Sequence, residues 1–150
     1  MTSLIFTYHK EVLLSVRCAK VRGVFINAKP ILLISILDAY SVGLFSENKI
    51  RICEQLIEFY KVNSKNYQPE IRQTPFYKPF FHLTGDKFWA LKFNEGYSLP
   101  EHNKTPTLKW QKEAIEYAYF SDSLFESIIQ NSSREKFKEA IIQHFFNNNN

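Results

Sequence analysis

The stretch Pro75–Phe93, PFYKPFFHLTGDKFWALKF, decides how the chain is read. It interleaves aromatic residues with Lys78, Lys87 and Lys92 around Pro79. Phe80–Leu83 and Phe88–Leu91 each have the composition of a short strand, and Gly85-Asp86 supplies turn residues between them. The pattern predicts an antiparallel hairpin.

Outward from this hairpin the chain reads as helical. Phe6, His9, Leu13 and Val16 recur at spacings of three and four and predict a helix from about Ile5 to Ala19, broken by Gly23. Val24–Ile26 reads as a short extended piece. Pro30 suits the first turn of a helix, where no N–H bond is lost, and Ile31–Ser41 is apolar nearly all round, so this helix must sit in the core. A further helix spans about Arg51 to Tyr60. Lys61–Lys78 then reads as a long polar loop, and loops of that length tend to carry function. Beyond the hairpin, Thr105-Pro106 predicts a capped helix running to Phe120. Ser123 with Glu126, and Ser132 with Glu135, have capping-box spacing ahead of two more helices. The last helix has an amphipathic face of Phe137, Ala140, Ile141, His144 and Phe145. The expected class is α+β: mainly helical, about five to six helices, with one small antiparallel hairpin or sheet. Residues 1–146 are expected to form one domain and 147–150 a disordered asparagine tail.

The chain has 150 residues, 45% of them hydrophobic and 16% aromatic, which suffices for a folded core. Its longest apolar run, Ile31–Leu37, is interrupted by Ser35 and is far shorter than a membrane span. No charged leader opens the sequence, so a cytoplasmic protein without membrane contact is expected. Cys18 and Cys53 lie among apolar residues and are expected to be buried free thiols; a disulfide between them stays open. The net charge of +4 is unevenly spread. Residues 1–37 and 61–92 each carry a net positive charge, whereas 38–60 and 93–150 are each net negative. If the fold joins the two basic blocks, they form one face suited to a polyanion.

Little in the sequence points to catalysis. His9, His82, His102 and His144 show no HxxxH or HxH spacing, there is no CxxC, and the glycines are too scattered for a phosphate loop. Glu54/Glu58 and Glu113/Glu116 read as solvated helix faces. A non-catalytic protein without metal or cofactor is expected.

Three blocks then align with a known pattern: Asn27–Ile34 (NAKPILLI), Lys78–Leu91 (KPFFHLTGDKFWAL) and Ala114–Phe125 (AIEYAYFSDSLF). In order and spacing, over residues 24–146, they resemble the sulfur-binding domain of McrA-like, type IV HNH restriction endonucleases, which recognise phosphorothioate DNA. The resemblance implies a sulfur pocket built from Lys29, Lys78 and Pro79 and bordered by His82. Lys29 stands where better-known members have arginine and Lys78 where they have tyrosine, so Tyr77 is the ring expected to substitute. Lys10, Lys20, Arg72, Lys87 and Lys92 are the expected contacts to ordinary phosphates, and Arg72, Gln73, His102 and Lys104 the candidates for base contacts. Family members carry an HNH nuclease after this module. None follows in this sequence, and a separately encoded nuclease becomes the expected partner beside duplex DNA. Two other readings stand beside this one: a reader of another DNA modification or of plain duplex, and a protein–protein module of a defence assembly.

Overall fold

A computed structural model describes residues 3–101 and 104–147. Among these the order is α1 (Leu4–Leu14), β1 (Ala19–Val21), β2 (Val24–Ile26), α2 (Ala28–Ser41), α3 (Glu54–Tyr67), α4 (Tyr77–His82), a 3-10 turn (Leu83–Asp86), β3 (Trp89–Phe93), α5 (Leu108–Ala114), β4 (Ile115–Phe120), α6 (Asp122–Ile128) and α7 (Asn131–Phe146). This is an α+β fold, 55% helical, with seven helices rather than five to six and two separate antiparallel strand pairs. None of the described helices is long and apolar enough to cross a membrane.

The apolar composition of α2 fixes the centre. Pro30–Leu37, Ala39 and Tyr40 are all buried, and α3, α4 and α7 pack around them. Such a helix tolerates polar groups only where they are paired. Ser35 Oγ donates to the Ile31 carbonyl at 2.8 Å and accepts from Asn63 Nδ2 at 3.0 Å. Asp38 accepts from Asn63 Nδ2 at 3.1 Å and from Lys138 Nζ at 2.7 Å. The same network ties α2 to α3 and α7.

Residues 77–86 do not form the first strand of a hairpin. Phe76, Pro79, Phe80 and Leu83 are buried, a spacing of three and four that belongs to a helix. Phe76 and Phe80 stack at 5.2 Å, and Phe80 meets Trp89 edge-on at 5.3 Å. The partner of β3 is instead β4, with Trp89 opposite Phe120 and Lys92 opposite Tyr117. The helix expected over 106–120 therefore ends at Ala114. The strand that follows alternates: Ala118 and Phe120 point inward, Tyr117 and Tyr119 outward. Ile50 bridges Ala118, and the Asn48 side chain pairs with both the N–H and the carbonyl of Phe120 at 2.8 Å, extending the sheet edge.

Other boundaries shift for local reasons. α1 stops at Leu14, and Ala19–Val21 leaves it to become β1. α3 starts after Cys53 and continues to Tyr67, leaving 68–76 as the loop. Thr107, not Thr105, caps α5 by accepting from the Trp110 N–H at 3.1 Å. Ser123 lies inside α6, 3.2 Å from His9 Nε2, and α7 starts one residue before Ser132. His9 is buried as its helical face required, whereas His144 is exposed. Cys18 and Cys53 are free but only half-buried. Asn147 caps α7, and the remainder of the expected tail lies outside the described residues.

Phe80 is fully buried between Phe76 and Trp89. Phe80→Ala should cost about 3–5 kcal/mol of unfolding free energy, because the cavity left behind cannot close between two fixed rings. Urea denaturation of the variant beside the parent checks this.

Candidate functional site

Three distant segments, with Thr74 of the 68–76 loop beside them, converge on one cleft of about 630 Å³. The first is the end of α1 with the β1–β2 ribbon, the second is the start of α2, and the third is α4 with its 3-10 turn. Pairing of Ala19 with Ile26 closes the ribbon and delivers the chain directly into α2, so Lys29 sits in that helix's first turn. The 3-10 turn raises Asp86 to meet it, and Lys87, with φ 70°, reverses the chain afterwards.

Asp86 clasps the segments together. Its Oδ2 accepts from Lys29 Nζ at 2.6 Å and its Oδ1 from the Arg17 backbone N–H at 3.2 Å. The pair is well covered, with side chains 16% and 6% exposed. An ammonium has three donors. One serves Asp86, and Lys29 still lines the cleft beside Arg17 and Lys78. Three cations against one carboxylate leave the cleft positive, and the positive end of the α2 dipole opens onto it through Ala28.

The remaining wall is soft. Ala19, Val21 and Ile26 supply apolar surface from the ribbon. Burial pushes the Cys18 thiol up to about 11, Lys29 pulling the other way and Asp86 adding to the rise, so this side chain faces the cleft as a neutral, polarizable group. His82 shares a 2.6 Å hydrogen bond with Thr105 Oγ1. Burial lowers its pKa below the ordinary 6.5, and the Lys29 and Lys78 charges lower it further.

Of the expected pocket residues, Lys29, Lys78 and His82 line this one cleft. Pro79 and Tyr77 do not. Pro79 is buried within α4, and Tyr77, half-buried, accepts at its carbonyl from Gln111 Nε2 at 3.0 Å. Their place as apolar wall is taken by ribbon residues. The cause is the backbone: residues 77–82, expected as the end of a loop and the start of a strand, form a helix that turns successive side chains by about 100°.

The other expected contacts are dispersed. Lys20 stands on the outer side of the ribbon, 5.1 Å from the Phe25 ring centroid. Arg72 and Gln73 line a smaller hollow that shares Ile26, Ala28 and Thr74 with the cleft, and Gln73 Nε2 donates to the Lys61 carbonyl at 3.2 Å. Lys104 precedes Thr105, the partner of His82. Lys87 follows the clasp, whereas Lys10 on α1 and Lys92 on β3 are not among the lining residues. His102 lies outside the described residues. Sequence reasoning missed Arg17, Asp86 and the apolar trio. Arg17 belonged to the first basic block, but Asp86 looked like an ordinary turn residue.

No protein-family model matches the chain, and no curated protein matches it.

The low pKa of His82 sets a pH dependence. Its imidazolium is disfavoured first by burial and then by the Lys29 and Lys78 charges, so the ring gains its proton only on acidification below the ordinary range. A charged ring adds a cation to the cleft. Affinity of the cleft for a polyanion should therefore rise as pH falls below about 6.5. His82→Gln should flatten this rise in a fluorescence-anisotropy titration across pH.

Proposed function

We propose that the chain is a non-catalytic DNA-binding module that reads phosphorothioate-modified duplex DNA, seating the modified backbone group in the cleft between Lys29 and Lys78. The observation that carries this reading is the composition of the cleft: cations from two basic blocks facing an apolar wall and a neutral thiol. The spacing of the NAKPILLI, KPFFHLTGDKFWAL and AIEYAYFSDSLF blocks supports it.

A phosphorothioate keeps the charge of a phosphate but carries a sulfur that is larger, more polarizable and a weaker hydrogen-bond acceptor. It loses less on leaving water. Against Ala19, Val21 and Ile26 it gains dispersion contacts, while an oxygen in the same place loses hydration without a partner. An under-paired polar atom costs on the order of 1–3 kcal/mol, or about one to two decades in affinity. Selectivity thus comes mainly from turning away the ordinary phosphate. Lys78, exposed at the rim, and Arg17 contribute attraction that both backbones share.

In this reading the module works in the cytoplasm, in a restriction or defence setting, and any cleavage falls to a nuclease that acts with it. Paired duplexes that differ only in one sulfur test it by fluorescence anisotropy at physiological salt. The modified duplex should bind about tenfold or more tightly. Lys78→Ala should weaken both complexes and lower the salt slope by about one, leaving the sulfur-to-oxygen ratio unchanged. Val21→Thr, which swaps a methyl for a hydroxyl at constant shape, should reduce the ratio. Equal affinity of the parent protein for the two duplexes would overturn the reading and leave a binder of plain or otherwise modified DNA.

A further inference from the structure

The β1–β2 ribbon is built unlike the rest of the molecule. Val21, Val24 and Phe25 are 54%, 50% and 53% exposed, in a chain whose other strand pair buries Trp89 and Phe120. Among the described residues the ribbon's hydrogen bonds to the body gather at its base, and Phe25 lines a hollow with Leu14 and Phe145. Gln68 Oε1 accepts from the Asn27 N–H at 2.9 Å, and Gln68 Nε2 donates to the Phe25 carbonyl at 3.2 Å. Beyond that anchor a two-stranded hairpin has little to hold it, yet its outer positions are apolar and basic.

The turn is stranger still. Arg22 has φ 52° and Gly23 φ 81°, positive at both central positions of a two-residue hairpin turn. That turn favours Asn-Gly, Asp-Gly or Gly-Gly, because a longer side chain is strained at positive φ. A guanidinium therefore stands at the tip, in a backbone conformation that disfavours arginine. Strain held at an exposed tip points to a use for the side chain.

Register divides the ribbon into two faces. Ala19, Val21 and Ile26 line the cleft, whereas Lys20 and Phe25, opposite each other, face away. A duplex with a backbone group in the cleft would lay the adjoining groove against this ribbon. Two strands about 4.8 Å apart with their side chains fit a major groove about 12 Å wide but not a minor groove about 6 Å wide. We infer that the β1–β2 ribbon enters the major groove beside the backbone group held in the cleft, with Arg22 reading a guanine through O6 and N7 and the exposed Val24 meeting a thymine methyl group. The inference rests on the DNA-binding reading above and gives base selection to the ribbon rather than to Arg72, Gln73 or Lys104. Its charge suits the partner, since Lys20 and Arg22 are its only ionised side chains.

The test uses the full chain, a phosphorothioate duplex library with randomised flanking bases, and the matching unmodified library. The parent protein should select guanine at one flanking position and protect that guanine N7, in the major groove, from dimethyl sulfate. Arg22→Asn installs the pair that the turn prefers, so its melting temperature should not fall. Its guanine preference should drop about tenfold while the sulfur-to-oxygen ratio stays as in the parent. Retention of the parent's flanking preference by Arg22→Asn, or protection confined to adenine N3 in the minor groove, would overturn the inference, as would a parent protein that prefers sulfur but is indifferent to flanking bases. A parent protein that selects guanine through Arg22 yet binds both libraries equally would sink the sulfur reading and sustain the ribbon. Failure to bind either library would end both.

Discussion

A helix with no solvent face constrains everything around it. α2 is buried from Pro30 through Leu37, and each Leu or Ile taken fully out of water stabilises the fold by about 1.5–3 kcal/mol. It must therefore be wrapped, and α3, α4 and α7 do the wrapping. The polar atoms it carries inward, those of Ser35 and Asp38, are paired to Asn63 and Lys138. Its apolar surface is buried on every side and would not resist rotation about the axis, but rotation would break these pairs together. The direction of its first turn is fixed in consequence, and that turn carries Lys29 to the cleft.

At the other end of this chain of causes stands Asp86. A carboxylate only 6% exposed is costly unless paired, and the attraction of Lys29 offsets the lost hydration without a large net gain. Its value is geometric. It joins residues that lie 69 and 57 positions away in sequence, Arg17 through its backbone and Lys29 through its side chain. Removing either charge leaves the other buried alone, a loss of about 3–5 kcal/mol for pairs of this kind. The clasp also moderates the cleft: it draws one Lys29 donor inward and leaves Arg17 and Lys78 to set the attraction at the rim. In the proposed reading an anion entering the cleft would meet a cation held in place by Asp86.

How far the sequence revealed this depends on which physical signal each segment carried. The apolar run of α2 has one structural solution, and its central place was legible. Residues 77–83 were ambiguous because aromatics favour strands, yet burial of Phe76, Pro79, Phe80 and Leu83 follows the helical period that the same letters contain. Residues 115–120 were absorbed into the preceding helix although Tyr117 and Tyr119 alternate with Ala118 and Phe120. A six-residue strand is short enough for either period to fit. In the site, the fold brings Lys29, Lys78 and His82 to one cleft, and these three were singled out by the resemblance of their sequence blocks. Asp86 was not, since nothing local distinguishes a turn carboxylate from a clasp 57 residues distant from its lysine. The resemblance put the apolar wall at Pro79 and Tyr77, whereas the apolar lining of this cleft comes from Ala19, Val21 and Ile26 of the ribbon.

Charge by itself gives such a cleft no means of choosing between two singly charged backbone groups. Arg17, Lys29 and Lys78 attract both through the same long-range field, which salt screens for both alike. A difference can arise only at contact, where hydration is lost. On the wall formed by Ala19, Val21 and Ile26 no side chain offers a donor, and Cys18 stays protonated well above neutral pH. The wall's preference follows from what it withholds. It offers van der Waals contact to any atom that fits and hydrogen bonds to none, so it penalises the group that most needs them. Discrimination of this kind tolerates exchange among the surrounding cations, Lys29 for arginine included, but not the arrival of a donor on the wall. The residues that decide selectivity in the proposed reader are therefore the plain apolar ones of the ribbon, and the charged residues decide how tightly DNA is held.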